Sequence, residues 1–174
     1  MHQKYLKMTW NKSLICLLVF IGSMGAFAQN SKEEASEQLD RWHKAAAEAD
    51  FNTYFDLMVA PGVFVGTDAT EHWDLESFKR FSKPYFDKGK AWSFTPIERH
   101  LYLTDSNNTA YFDELLETHM GICRGSGVMR LDNGKWKVAH YVLSIAVPNE
   151  NVDELNKLKK ETDSLLIERL KKNY

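Results

Sequence analysis

Arg124-Gly-Ser-Gly-Val-Met-Arg-Leu-Asp-Asn-Gly-Lys-Trp-Lys-Val-Ala-His-Tyr-Val-Leu-Ser144 reads as two long strands joined at Asn133-Gly134. Both turn residues accept the positive φ of a type I′ turn, whose twist matches that of paired strands. Outward from this hairpin the period holds. Residues 92–104, 109–120, 123–132 and 135–147 read as four long strands. Asp105-Ser-Asn-Asn108, Gly121 and Asn133-Gly134 punctuate them, which predicts an antiparallel meander.

Upstream the period is helical. Ser31-x-x-Glu34 is a capping box, and Ala35, Leu39, Trp42, Ala46 and Ala49 form one apolar stripe behind it. Asp50 caps a second helix that buries Phe51, Tyr54, Phe55 and Met58, and Pro61-Gly62 ends it. Val63 to Gly66 and Thr70 to Trp73 form a small hairpin turning at Thr67-Asp-Ala69. Asp74 caps a third helix with Leu75, Phe78, Phe81, Tyr85 and Phe86 on its inner side. Helices first and sheet second is the α+β pattern. Asn151-x-x-Glu154 starts a last helix, with a stripe of Val152, Leu155, Leu158, Thr162, Leu165, Leu166 and Leu170.

Residues 1–28 have the layout of a cleavable signal peptide. Lys4, Lys7 and Lys12 precede a short apolar run from Leu14 to Ile21, and Ala26-Phe-Ala28 precedes the expected cut. The run is too short to span a bilayer, so the expectation is a secreted or periplasmic protein without a membrane span after cleavage. Cleavage leaves 146 of 174 residues, enough for one core. It also removes three of 22 basic residues, leaving 19 against 24 acids, a net charge of −5. That mildly acidic surface argues against nucleic acid and anionic membranes. Cys123 is then the sole cysteine, so no internal disulfide forms and the core must supply the stability.

The order helix, helix, hairpin, helix and four long strands resembles SnoaL-like domains of the nuclear-transport-factor-2-like superfamily. Gly66-Thr-Asp-Ala-Thr-Glu-His-Trp73, Arg99-His100, Ala110-Tyr-Phe-Asp-Glu-Leu115, Arg124-Gly-Ser-Gly-Val128, Trp136-Lys-Val-Ala-His-Tyr141 and Val147-Pro-Asn149 carry the likeness, which covers nearly all of residues 31–149. The resemblance implies a curved sheet wrapped around three N-terminal helices, a cone-shaped cavity open at one end, and frequent dimers. It implies no single function, since related domains include enzymes, binding modules and oligomerisation modules. No catalytic residue is carried over from a characterised member.

Strand parity places Trp136, Val138, His140, Val142 and Ser144 on one face, expected to look toward the cavity. His140 there is a candidate acid or base, against the commoner alternative of a hydrogen-bonded core histidine. Glu114 shares its face with Ala110 and Phe112, and Asp113 points the other way. Glu114 is either a working carboxylate in an apolar wall or a structural ion pair with Arg99 or Arg124. Arg124 opens a Gly-Ser-Gly segment that suggests a bulge, or a close approach of backbone or ligand; pointing inward it would clamp an anion, pointing outward it would serve an interface. Glu71 and Trp73, with Phe64 and Tyr85, could wall the cavity mouth. The expected ligand contacts are therefore Glu71, Trp73, Tyr85, Arg124 and Trp136. The histidines show no metal-ligand spacing and no glycine loop precedes a helix, so neither a metal nor another cofactor is expected.

Both sheet faces are largely apolar, which an antiparallel sheet with one wet face would not be. The helices cover one. A second subunit, giving a homodimer, or the C-terminal helix folding back covers the other. The leading expectation is a binding protein for a small, partly apolar molecule, with a cofactor-free acid–base enzyme and a purely structural dimer module as rivals.

Overall fold

The computed structural model describes residues 31–173. Residues 1–28, expected from sequence to be a signal peptide, lie outside the described residues. Helix α1 spans residues 31–47 and α2 spans Phe51–Asp56. Strands β1 (Met58–Val65) and β2 (His72–Asp74) lead into α3 (Leu75–Asp87). The long strands are β3 (Thr95–Leu103), β4 (Thr109–Thr118), β5 (Gly121–Asp132) and β6 (Lys135–Ile145). A 3₁₀ turn at Asn149–Asn151 precedes α4 (Val152–Lys171).

The caps act as the sequence predicts. The Asp50 carboxylate accepts from the Thr53 backbone N–H, and that of Asp74 from Ser77 N–H. Asn133 and Gly134 hold the positive φ values of 50° and 74° that their tight turn requires.

The sheet is one curved, open layer in the order β2-β1-β6-β5-β4-β3. The β3–β6 meander is antiparallel, while β1 joins β6 in parallel. The second helix is shorter than expected. Met58 opens β1 instead of closing α2, and Pro61-Gly62 lies inside that strand. The β1–β6 register slips between Met58 and Val63, and that irregularity accommodates a residue with no N–H to donate.

A second slip matters more. Val128 pairs with His140 and Met129 with Val138, so Ala139 has no partner across the ladder. This bulge inverts the parity of β6 beyond it. Trp136 and Val138 face the core, but so do Tyr141 and Leu143, all four buried. His140 lies level with Val128 and Tyr111 across the sheet, and Tyr111 is exposed. His140 therefore belongs to the outer face, contrary to the expectation from uninterrupted alternation.

The concave side is filled over most of its area. Trp42 of α1 stacks on Tyr54 with centroids 4.8 Å apart and meets Tyr141 edge-on at 4.8 Å. Phe64 stacks on Phe78 at 4.1 Å. Much of the cone-shaped cavity expected from the resemblance is thus occupied by the chain's own rings, and open space remains at one end, between α3 and the β1–β2 hairpin. On the outer side α4 turns back toward the β1–β2 hairpin but stands off the sheet. A cleft of about 900 Å³ separates Leu158, Leu165 and Leu166 from Val65, Val142 and Ser144. Leu158 and Leu165 remain 82% and 64% exposed, so the folded-back helix does not seal the outer face. Among the described residues no helix is long and apolar enough to cross a membrane.

Candidate functional site

Two groups of side chains with chemical potential lie next to each other on the concave side. The first is a closed polar network. Glu114 on β4 points inward and is 1% exposed. Its Oε1 lies 2.7 Å from His43 Nε2 of α1 and accepts from the Tyr141 hydroxyl at 3.0 Å. Its Oε2 accepts from Arg99 Nε at 2.9 Å, and Arg99 Nη2 lies 2.9 Å from the same oxygen. Arg99 Nη1 continues to Asp40 Oδ1 at 2.7 Å and to the Ser36 hydroxyl and carbonyl. The network therefore ties α1 to β3, β4 and β6.

Burial is the strongest single influence on Glu114 and would raise its pKa. The hydrogen bonds and charges of His43 and Arg99 together outweigh it and hold the carboxyl below the usual range. Burial, then the Glu114 charge, push the Tyr141 phenol well above its ordinary value, so it stays a neutral donor. Gly125 makes the cluster possible. It lies level with Glu114 and Leu143, and a Cβ there would sit 2.2 Å from the Tyr141 hydroxyl oxygen. The Gly-Ser-Gly segment thus gives close approach of side chains to backbone.

The second group is an aromatic pocket of about 310 Å³ between α3, the β1–β2 hairpin and the β4–β5 turn. Phe64, Trp73, Phe78, Phe81, Tyr85 and Trp92 supply rings, and Phe94 and Leu143 also line it. Glu71, His119 and Met120 add polar or polarisable groups. Local structure fixes the rim. Asp68 accepts from Thr70 N–H and hydroxyl, Gly66 N–H donates to Glu71 C=O, and Phe64 pairs with Trp73. Trp73 stacks on Phe81 at 4.4 Å between centroids, and Tyr85 packs tilted against Phe81 at 5.5 Å.

The structure sorts the residues singled out from sequence. Glu71, Trp73 and Tyr85 come together, with Phe64, on the wall of this one pocket. Glu114 lies behind it in the closed network. His140 does not line it, because the Ala139 bulge turns that side chain outward. Arg124 lies level with Leu115 and Ser144 on the outer face and is exposed, so it cannot clamp an anion in the pocket. Trp136 is 1% exposed in the core, does not line this pocket, and borders a separate depression with Gly134 and Arg41.

Sequence reasoning passed over His43, although Ala35, Leu39, His43 and Ala46 recur at helical spacing and place it on the inner face of α1. It also passed over Trp92, Phe94 and His119, which no periodic pattern distinguishes. Among the described residues no group of three or more His, Cys, Asp or Glu side chains gathers to hold a metal ion.

A family model described as a SnoaL-like domain matches residues 36–148. Among curated proteins none matches the sequence. An NTF2-like protein of unknown function from Pseudomonas putida superposes with a TM-score of 0.58 at 13% identity, covering 71% of this chain and 92% of that one. A candidate dehydratase of the NTF2-like family from Streptomyces avermitilis gives 0.60 at 14% identity, covering 69% and 99%. A candidate ketosteroid isomerase from Shewanella frigidimarina gives 0.53 at 14%, covering 64% and 94%. At these identities the likeness is one of fold.

Proposed function

The chain belongs to the SnoaL-like domain family, and from that premise we propose that it binds a small, partly apolar organic molecule in the pocket walled by Trp73, Phe81, Tyr85 and Trp92. The observation that carries this reading is a concavity of about 310 Å³ lined by aromatic rings with few polar groups. That is the size and character of small-molecule sites, which run from about 300 to 1,000 Å³. Exposed rings support it too: Phe81 and Tyr85 are 39% and 46% accessible on a helix with ample polar alternatives.

A thermal-shift screen with small aromatic compounds tests the proposal. A ligand at a hundred times its Kd adds about 2.7 kcal/mol of stability. Trp73→Ala should abolish that shift. A screen in which no compound stabilises the protein, or in which Trp73→Ala responds like the native chain, discards the pocket.

Cofactor-free acid–base chemistry is the second reading, favoured by two ionisable groups on the same wall, Glu71 and His119. It would rest on them and not on Glu114, whose oxygens are already engaged. Two further proposals concern context. The chain is exported, by the signal-like layout of residues 1–28. It forms a homodimer through the outer sheet face, where the stacked rings of Tyr102 and Tyr111 are 44% and 53% exposed. Intact mass of the secreted protein and sedimentation at micromolar concentration test these; a chain retaining residue 1, or a monomer, refutes each in turn.

A further inference from the structure

The pocket wall carries one sign of charge. Among the described residues Glu71 is the only carboxylate that lines it, and no lysine or arginine does. His119 and Tyr85 are the other ionisable side chains there. The carboxylate is seated by its surroundings. Glu71 Oε2 accepts from Asp68 N–H at 3.2 Å, and a Cβ on Gly66 would lie 2.2 Å from that oxygen. Oε1 has no hydrogen bond among the described residues. One oxygen thus anchors the group to the hairpin backbone and the other is unpaired, at the rim shared by this pocket and the outer cleft beside α4.

The rings add to this field. Trp73 stacks on Phe81 at 4.4 Å and on Phe78 at 5.7 Å, and Phe78 stacks on Trp92 at 5.8 Å. Aromatic faces carry partial negative charge and attract cations, tryptophan most strongly. An anionic guest would meet a carboxylate, electron-rich rings and no fixed positive charge. A neutral guest would leave the Glu71 oxygen unpaired against apolar surface, which carries a desolvation cost. A cation satisfies both.

We propose that the pocket selects organic cations, an alkylated ammonium group on an apolar body, held against the Trp73 and Tyr85 rings with Glu71 as counter-ion. This rests on the pocket being a ligand site, and it reverses the expectation of an anion clamp that Arg124 raised.

Three para-substituted phenols test it: (4-hydroxyphenyl)trimethylammonium, its neutral isostere 4-tert-butylphenol, and the smaller anion 4-hydroxybenzoate. Titrations are followed by the indole N–H resonances of Trp73 and Trp92. The cation should bind about tenfold more tightly than the phenol, with the benzoate weakest. Glu71→Gln, which keeps an oxygen for the Asp68 N–H, should bring cation and phenol within about twofold. Phenol binding as tightly as the cation, or benzoate binding best, overturns the charge preference and leaves the pocket standing. Absence of any shift at either indole overturns both. An unchanged preference in Glu71→Gln removes Glu71 as counter-ion. If that variant does not fold, the comparison on the native chain still decides.

Discussion

Glu114 and Glu71 are two carboxylates, one inside β4 and one in the connection of the β1–β2 hairpin, and their surroundings have opposite logic. Glu114 is sealed, and His43, Arg99 and Tyr141 engage both its oxygens. Glu71 sits at a rim, with one oxygen committed to its own hairpin and one unoccupied. Phe94 is the partition between the two regions: its ring lies 6.1 Å from His43 and also lines the pocket. A buried charge with every partner present is a device for fixing geometry; a half-satisfied charge beside exposed rings is a device for meeting something else. Variants of the first should change stability, and variants of the second should change binding.

The largest effect belongs to Glu114→Ala. It leaves Arg99 and His43 facing each other without their carboxylate, and removing one partner of a buried ion pair costs about 3–5 kcal/mol. Urea denaturation measures it. A loss under about 1 kcal/mol would mean the network does not fix α1 on the sheet, and the contrast between the two regions would collapse. Gly125→Ala comes next. The added Cβ would meet the Tyr141 hydroxyl oxygen at 2.2 Å, Tyr141 Cζ at 2.9 Å and Glu114 Cγ at 3.0 Å. Tyr141 and Glu114 are buried and hydrogen-bonded, so relief requires moving both, and overpacking of this kind costs about 1–3 kcal/mol.

Acid titration sharpens the same comparison. A carboxyl held below its ordinary pKa in the folded state contributes stability that is complete above the unfolded value of 4.5 and is lost as pH falls through the lower folded value. Asp50, Asp68 and Asp74 are likewise depressed, by hydrogen bonds from Thr53, Thr70 and Ser77, so acid destabilisation is shared. The difference between the native chain and Glu114→Gln isolates Glu114. The native stability curve should fall more steeply with decreasing pH below about 4.5 than that of the variant. Parallel curves would mean that Glu114 is not ionised where it lies.

The fold was legible because its signals are local. Asp50 and Asp74 stand at helix starts, Asn133-Gly134 at a turn, and long alternating segments between them. The inner facing of Glu114 was legible from strand parity for the same reason. What parity could not supply was the Ala139 bulge. One unpaired residue in β6 exchanges His140 for Tyr141 on the concave side, and no residue type in Lys137-Val-Ala-His140 announces it. The bulge is a property of the pairing between β5, β6 and the parallel neighbour β1, a long-range outcome. The pocket wall divides similarly. Glu71, Trp73 and Phe64 were readable together because one hairpin holds them, whereas Trp92, Phe94 and His119 arrive from connections brought near only by the closed fold.

Tyr85→Ala should have the smallest effect on stability and is the most discriminating for that reason. The ring is 46% exposed and packs tilted against Phe81, 5.5 Å between centroids. Truncation at such a surface position changes stability within about 0.5 kcal/mol. Yet the ring forms part of the pocket wall, and losing an aromatic face against a bound cation weakens binding by about three- to tenfold. Denaturation and titration of one sample separate the two. Loss of binding at unchanged stability is the behaviour of a surface kept aromatic for a guest. A destabilised protein with unchanged affinity would make Tyr85 a packing residue, and the rim would then be the edge of the core.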